Sequence, residues 1–145
     1  MKTAFVSGIT GQDGSYLAEF LLSRGYFVIG LKRRTSLICT DRVDQLLKSN
    51  SNFKMEYWDL NDASATYRLL LKYKPDEFYN LAAQSHVRVS FDVPEDTVLG
   101  IANGTLRILE AIRNVHPKCR FYQASSSEMY GDNPNVPDRD WETLT

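Results

Sequence analysis

Apolar and polar positions along this chain fall in blocks whose period switches between that of a strand and that of a helix. Ala4-Phe5-Val6 is a short apolar run. The segment after it takes helical spacing, with Leu17, Phe20 and Leu21 at i, i+3 and i+4. The pattern predicts a strand over Thr3–Ser7 and a helix over Gln12–Arg24 stopped by Gly25. Phe27–Leu31 reads as a second strand, Asp41–Lys48 as a short helix, Ser49-Asn50-Ser51-Asn52 as a loop and Phe53–Trp58 as a third strand. Asp62 is placed to cap a helix carrying Ala63, Tyr67, Leu70 and Leu71 on one face and ending before Pro75. Glu77–Leu81 follows as a fourth strand. Thr97–Val115 reads as a long helix with Val98, Ile101, Thr105, Ile108, Leu109 and Ile112 in register, ended by Pro117, and Arg120–Ala124 as a fifth strand. From Ser125 onward the chain is polar and proline-bearing, without periodicity. Strands alternating with helices imply an α/β fold: a doubly wound parallel sheet, covered on both faces and joined by right-handed crossovers.

Composition narrows the function classes. A chain of 145 residues with 43% hydrophobic content suits one globular domain with a core of its own. A formal net charge of −1 gives no reason to expect nucleic acid or an anionic membrane surface as partner. No apolar run reaches the ~18–20 residues of a membrane span. The first strand begins almost at once, leaving no room for a secretory leader, so the expected compartment is the cytoplasm. Cys39 and Cys119 form no C-x-x-C pair and read as structural thiols of a reducing environment. His86 and His116 lack neighbours at metal-ligand spacing, and no metal site is expected.

In such a sheet, ligands bind beyond the carboxyl ends of the strands. Past the first strand lies Gly8-Ile9-Thr10-Gly11-Gln12-Asp13-Gly14. Three glycines at a strand-to-helix turn let the backbone approach a diphosphate, whose charge then sits on N–H groups at the positive end of the helix. The spacing, G-x-x-G-x-x-G, is one residue longer than G-x-G-x-x-G; the plainer reading is an ordinary glycine-rich turn. Past the second strand stand Arg33, Arg34, Thr35 and Ser36. An acid there would bond a ribose 2′-hydroxyl, whereas guanidinium groups clamp a 2′-phosphate, which points to NADP; the plainer alternative is a solvated basic pair. Past the third strand, Asp59 is placed to accept from an adenine amino group while Leu60 covers a ring face. Alternatively Asp59, Asn61 and Asp62 cap the next helix, and both roles can hold together. Past the fourth strand, Leu81-Ala82-Ala83-Gln84-Ser85 turns small, which would let the ribose–nicotinamide half lie close to the backbone or simply form a tight crossover. Past the fifth lie Ser125-Ser126-Ser127-Glu128. A serine hydroxyl can donate to a substrate oxygen, and a partly desolvated carboxylate can take a proton from carbon next to a carbonyl; a solvated serine-rich loop is the bland alternative.

These residues carry a resemblance. Val6 to Leu17, Arg33-Arg34-Thr35-Ser36, Tyr79 to Val87, Ser90-Phe91-Asp92 and Gln123 to Gly131 closely resemble, in one order over nearly the whole chain, the opening part of the GDP-mannose 4,6-dehydratases, a family of extended short-chain dehydrogenase/reductase enzymes. Gly11 to Tyr16 together with Ala83 to Val87 is specific to this family rather than to the fold. The resemblance implies a Rossmann-type domain over residues 1–145 that binds NADP through Gly8, Thr10, Gly11, Gln12, Asp13, Gly14, Arg33, Thr35, Ser36, Asp59, Leu60, Leu81, Ala82, Ala83 and Ser85. It implies oxidation at C4 of GDP-linked mannose, loss of water across C5–C6 and return of the hydride to C6. The product would be GDP-4-keto-6-deoxy-mannose, the precursor of GDP-fucose. Ser126 stands at the family's catalytic Thr position, a mild departure that keeps the hydroxyl, and Glu128 at that of the base for the C5 proton.

Two departures from the family pattern matter more. No Tyr-x-x-x-Lys occurs here; in the family this pair follows later, in a longer chain with a C-terminal sugar-nucleotide domain. The chain is therefore expected to be an N-terminal half, inactive alone. Asp96 stands where the family usually has a tyrosine near the cofactor, and Ile101 where related enzymes carry Asn or Asp. The family also implies a GDP-sugar substrate and a homo-oligomer, a dimer or tetramer. The rival readings are a related nucleotide-sugar reductase or epimerase, against which Glu128 argues, and a non-catalytic NADP-binding module.

Overall fold

Short β-rich runs with alternating faces give five strands, all parallel, in one sheet of order β3-β2-β1-β4-β5. The computed structural model describes residues 1–34, 41–82 and 102–125. In chain order the elements are β1 (Thr3–Ser7), α1 (Gln12–Ser23), β2 (Phe27–Lys32), α2 (Asp41–Ser49), β3 (Phe53–Tyr57), α3 (Ala63–Tyr73), β4 (Glu77–Asn80), α4 (Gly104–Val115) and β5 (Arg120–Gln123). Register pairs Phe5 with Ile29 and Phe78 on one face and Ala4 with Val28 on the other, so the centre of the sheet is apolar on both faces. Among the described residues no helix is long and apolar enough to cross a membrane.

Side-chain alternation along the strands sends residues to two cores. Phe5, Ile29, Leu31 and Phe78 pack with Leu69 and Leu70 of α3 and with Ile108 and Ile112 of α4. Ala4, Val6 and Val28 pack with Ala18 and Leu21 of α1 and Val43 of α2 on the other face. Phe78 is the hub of the first core: its ring meets those of Phe5, Trp58 and Phe121 at centroid distances of 5.5, 6.2 and 5.8 Å. The buried Trp58 indole donates to Thr66 Oγ1 at 2.8 Å, so the core closes without an orphaned polar atom there.

Helix ends follow their local chemistry. Gly25 takes φ +77, and the N–H groups of Gly25 and Tyr26 return to the carbonyls of Leu22 and Leu21, a Schellman stop. Asp62 caps α3 by accepting from Ala65 N at 2.9 Å; hydrogen bonds from Ser64 and from that N–H hold its carboxyl below the usual range. α3 ends on Lys74 in the left-handed region just before Pro75. Boundaries expected from the sequence hold within a residue for the described elements; for the helix expected over Thr97–Val115, the described part is Gly104–Val115.

Three helix faces need correction. Leu71 is 61% exposed, whereas Leu69 and Leu70 are fully buried beside Ala65 and Thr66, so the inward face of α3 is rotated from the expected one. Phe20 and Leu109 are likewise exposed; α1 turns Gly14, Ala18 and Leu21 inward, and α4 turns Gly104, Ile108, Ala111 and Ile112 inward. For α1 and α4 the cause is that Gly14 and Gly104 bring the helix close to the turn and to Leu60, so a period count that weighs only large apolar residues centres the stripe wrongly; in α3 the stripe runs through Ala65, Thr66, Leu69 and Leu70 instead of Leu71.

At the amino edge of the sheet, Glu77 is buried and accepts hydrogen bonds from Tyr26 Oη, Tyr79 Oη and Arg120, with Lys2 Nζ at 3.6 Å. Burial alone would push its carboxyl up, but the bonds from Tyr79 and Arg120 and the Arg120 charge outweigh it and leave it below the usual range. Burial and the adjacent Glu77 push Tyr79 up to about 12. Cys119 is a buried free thiol, raised to about 11 chiefly by burial. Cys39 lies outside the described residues.

The α3 face gives a direct test. Leu70→Ala is expected to cost about 2–5 kcal/mol and Leu71→Ala less than about 0.5 kcal/mol, measured by urea unfolding. Equal losses would restore the face expected from the sequence.

Candidate functional site

The crevice opens at the carboxyl edge, where strand order reverses at β1. α1 leaves β1 toward one face of the sheet, while α3 and α4 occupy the other. The turn Gly8–Gly14 fills this switch point, and its three glycines do three different things. Gly8 has φ +65, and a Cβ on it would stand 2.8 Å from the carbonyl oxygen of Leu81, just past β4. Gly8 thus makes the sharp turn and lets β4's exit come alongside. A Cβ on Gly14 would overlap the Gly8 carbonyl and stand 2.9 Å from Ile9 Cα, so Gly14 is what seats α1 against the turn. Gly11 differs: among the described residues, a Cβ there would meet only the Gly8 oxygen, at 3.1 Å. Among the described residues nothing else comes within 4 Å of that position. Gly11 is also the N-cap of α1 and has no side chain to cap with, so the first-turn N–H groups are left for an outside acceptor. The arrangement fits a dinucleotide diphosphate: an open glycine over uncapped amides at the positive end of a twelve-residue helix.

Ser7, the last residue of β1, ties the two walls of the crevice together. Its hydroxyl donates to Asn80 Oδ1 at 2.6 Å and accepts from the N–H groups of Leu81 and Ala82, each at 3.0 Å. Asn80 passes the chain on, donating from Nδ2 to Gln123 Oε1 at 2.8 Å, and Gln123 donates to the Ala124 carbonyl. Thr105 of α4 also donates to Gln123 Oε1, at 3.3 Å. This network fixes the exits of β4 and β5, from which Leu81, Ala82 and the serine segment depart. Sequence reasoning named Leu81 and Ala82 but gave no site role to the side chains of Ser7, Asn80 and Gln123. The signal available was a small or amide polar residue at the last position of each of three strands: Ser7, Asn80 and Gln123.

On the other side of the switch point, Arg33 past β2 and Asp59 past β3 meet, with Nε to Oδ2 at 3.2 Å. Asp59 Oδ1 also accepts from Asn61 N, while the helix cap falls to Asp62, so Asp59 is free of capping duty. Leu60 leans on α4 at Gly104, where any Cβ would overlap its side chain, and packs on the edge of the core. Arg42, at the start of α2, reaches the Thr10 carbonyl of the glycine turn at 3.3 Å, a contact that nothing in the sequence announces. The structure therefore brings together Gly8 with Leu81 and Ala82, and Arg33 with Asp59. Thr35, Ser36, Ala83, Ser85, Ser126 and Glu128 lie outside the described residues, as do Asp96 and Ile101. Among the described residues no cluster of His, Cys, Asp and Glu suits a metal ion.

Comparison with known proteins meets this geometry from another side. The family model described as GDP-mannose 4,6 dehydratase matches residues 5–144. The chain belongs to this family. A GDP-mannose 4,6-dehydratase of Vibrio cholerae is 55% identical to it over 145 residues, covering 96% of this chain and 39% of that protein. The chain thus spans about two-fifths of the length of the curated dehydratases it matches. Among solved structures, a UDP-Glc/GlcNAc 4-epimerase of Campylobacter jejuni superposes with a TM-score of 0.83 at 20% identity, covering 92% of this chain and 40% of that one, which shows a shared fold. The Bordetella bronchiseptica enzyme WbmH, solved in complex with NAD+, superposes with a TM-score of 0.71 at 26% identity over 93% of this chain and 43% of that one. The doubly wound sheet expected from the sequence of this dehydratase-family chain is therefore the fold found.

Gly14 offers a prediction in which packing opposes propensity. Alanine is favoured over glycine inside a helix by about 1 kcal/mol. Gly14→Ala should nevertheless lower the urea midpoint, because the new Cβ strikes backbone of the turn rather than a movable side chain. A raised midpoint would show that α1 has room to shift away.

Proposed function

We propose that this chain is the NADP-binding domain of an enzyme that dehydrates GDP-mannose to GDP-4-keto-6-deoxy-mannose, working as a cytoplasmic homo-oligomer. The observation that carries the cofactor part is the open Gly11 over the uncapped start of α1. Membership of the dehydratase family and the high identity to its curated members support the reaction. They also favour it over a reductase or an epimerase, since solved epimerases are 19–29% identical to this chain against 55% for the dehydratase of Vibrio cholerae.

Each residue then has a task. The diphosphate lies on the N–H groups at Gly11, Gln12, Asp13 and Gly14, with Gly8 and Thr10 shaping the turn. Arg33, whose side chain is 76% exposed at the end of β2, takes the 2′-phosphate together with Thr35 and Ser36. Asp59 and Leu60 bound the adenine site. Leu81, Ala82, Ala83 and Ser85 border the ribose–nicotinamide half. When bound, the dinucleotide supplies reversible hydride transfer. Ser126 donates a hydrogen bond to the sugar oxygen at C4, and Glu128 removes the C5 proton once C4 is a ketone. The electron pair left at C5 expels the C6 hydroxyl, which leaves as water with the proton that Glu128 took from C5. The ketone is what makes the C5 proton acidic enough for a carboxylate. The tyrosine and lysine that complete such a site in the family have no counterpart at their spacing in this sequence, so the 145-residue chain alone should bind cofactor without turning over substrate.

Calorimetric titration tests the cofactor assignment. NADP+ should bind at least about tenfold more tightly than NAD+, about 1.4 kcal/mol. Arg33→Ala should remove most of that preference and leave NAD+ unchanged. Equal affinities in the parent would sink the assignment.

The reaction is tested in a form of the enzyme that carries the tyrosine and lysine. Glu128→Gln should leave oxidation at C4 intact and slow the overall rate by about 10²–10⁴-fold, with C5 exchange into deuterated solvent falling in parallel. Exchange at the parent rate would make Glu128 a bystander.

A further inference from the structure

Resting on the NADP reading above, we propose that Asp59 is a positioning residue for cofactor discrimination, holding Arg33 by its Nε so that the terminal guanidinium nitrogens face the 2′-phosphate. β2 and β3 run side by side with Lys32 opposite Tyr57, and the ladder continues one step beyond through Trp58 N to the Lys32 carbonyl at 2.9 Å. The exits carrying Arg33 and Asp59 are thereby locked together by backbone. Asp59 is the fixed member of the pair. Its Oδ1 accepts from Asn61 N at 2.9 Å, its carbonyl accepts from Asp62 N at 3.0 Å, and its side chain is 39% exposed against 76% for Arg33. Arg33 is the mobile one, a long side chain with much rotamer freedom to lose.

The contact uses Oδ2 and Nε, not the two-nitrogen fork that arginine commonly offers a carboxylate. Among the described residues this is the ion pair of Arg33, so Nη1 and Nη2 keep their N–H groups for a second anion. A guanidinium already oriented loses less freedom when the phosphate arrives. The opposite effects are physically distinct. A carboxylate acting only through its charge would repel the 2′-phosphate, and one acting only on adenine would not distinguish the two cofactors.

Titration of the 145-residue chain with NADP+, NAD+ and 2′,5′-ADP separates these outcomes. Asp59→Ala should weaken NADP+ and 2′,5′-ADP by about fivefold more than it weakens NAD+, the upper end of what an exposed ion pair contributes. Retained NAD+ binding also shows that the variant folds. Asp59→Asn, which keeps an oxygen for Asn61 N, should lose in the same direction. In an Arg33→Ala background, Asp59→Ala should no longer change the ratio of NADP+ to NAD+ affinity, because the two residues set that ratio through one contact. Tighter NADP+ binding in Asp59→Ala, an equal loss for NAD+, or a full loss persisting without Arg33 would each overturn the proposal. If Arg33→Ala abolishes the preference while Asp59→Ala leaves it intact, the NADP reading stands and this inference alone falls. If the parent shows no preference for NADP+, both fall.

Discussion

One hydroxyl holds the two walls of the crevice at their meeting point. Ser7 Oγ accepts two consecutive backbone N–H groups from the exit of β4 and donates its own proton to Asn80. Among the described residues the β1–β4 register ends at Val6 and Tyr79, with α1 and α4 on opposite faces of the sheet, so this hydroxyl is what joins the two exits. Without this contact, Leu81 and Ala82 would need water or another acceptor for their N–H groups, and the Gly8 turn would lose the surface it packs against. The proton order is also determined. Ser7 donates to Asn80, Asn80 donates to Gln123, and Gln123 donates to the Ala124 carbonyl, so each amide has a single consistent orientation.

The sheet was legible because its strands are short, apolar and separated by clear turn chemistry, and a parallel order follows from alternation with helices. The helix stripes were less legible for a physical reason. α1 places Gly14 and Ala18 inward, and α4 places Gly104 and Ala111 inward, since small residues let the helices approach the turn and Leu60. Large residues displaced from those faces find other partners. Phe20 lies exposed, with Arg24 Cζ 5.0 Å from its ring centre. A hydrophobic count treats such a phenylalanine as core, and only the close approach of backbone to backbone says otherwise.

The geometry of the candidate site was legible where it is carried by backbone. Glycines at a strand-to-helix turn announce close backbone approach, and the structure divides the three among turning, packing and opening. It was less legible where purpose depends on pairing across strands. Arg33 and Asp59 were singled out for separate tasks, on a phosphate and on an adenine, and their contact depends on the register of β2 against β3. Arg42 on the Thr10 carbonyl depends in the same way on how α2 returns over α1. Neither distance is written in a local pattern, because residues 26 or 32 positions apart meet only through the sheet.

The two edges of the sheet divide the electrostatic work. At the amino edge, Glu77 is saturated by two tyrosine hydroxyls and the Arg120 guanidinium, with Lys2 nearby, so that edge presents a closed, internally neutralised cluster. Among the described residues of the carboxyl edge, the turn's first amides have no side-chain cap, and the Arg33 guanidinium is only half committed, to Asp59. A buried carboxylate without partners would be costly, so its saturation keeps the amino edge inert. Open amides cost little in water and gain once a diphosphate replaces that water. With satisfied charges at one end and, among the described residues, uncapped donors at the other, a chain of nearly zero net charge has one defined place suited to an anion.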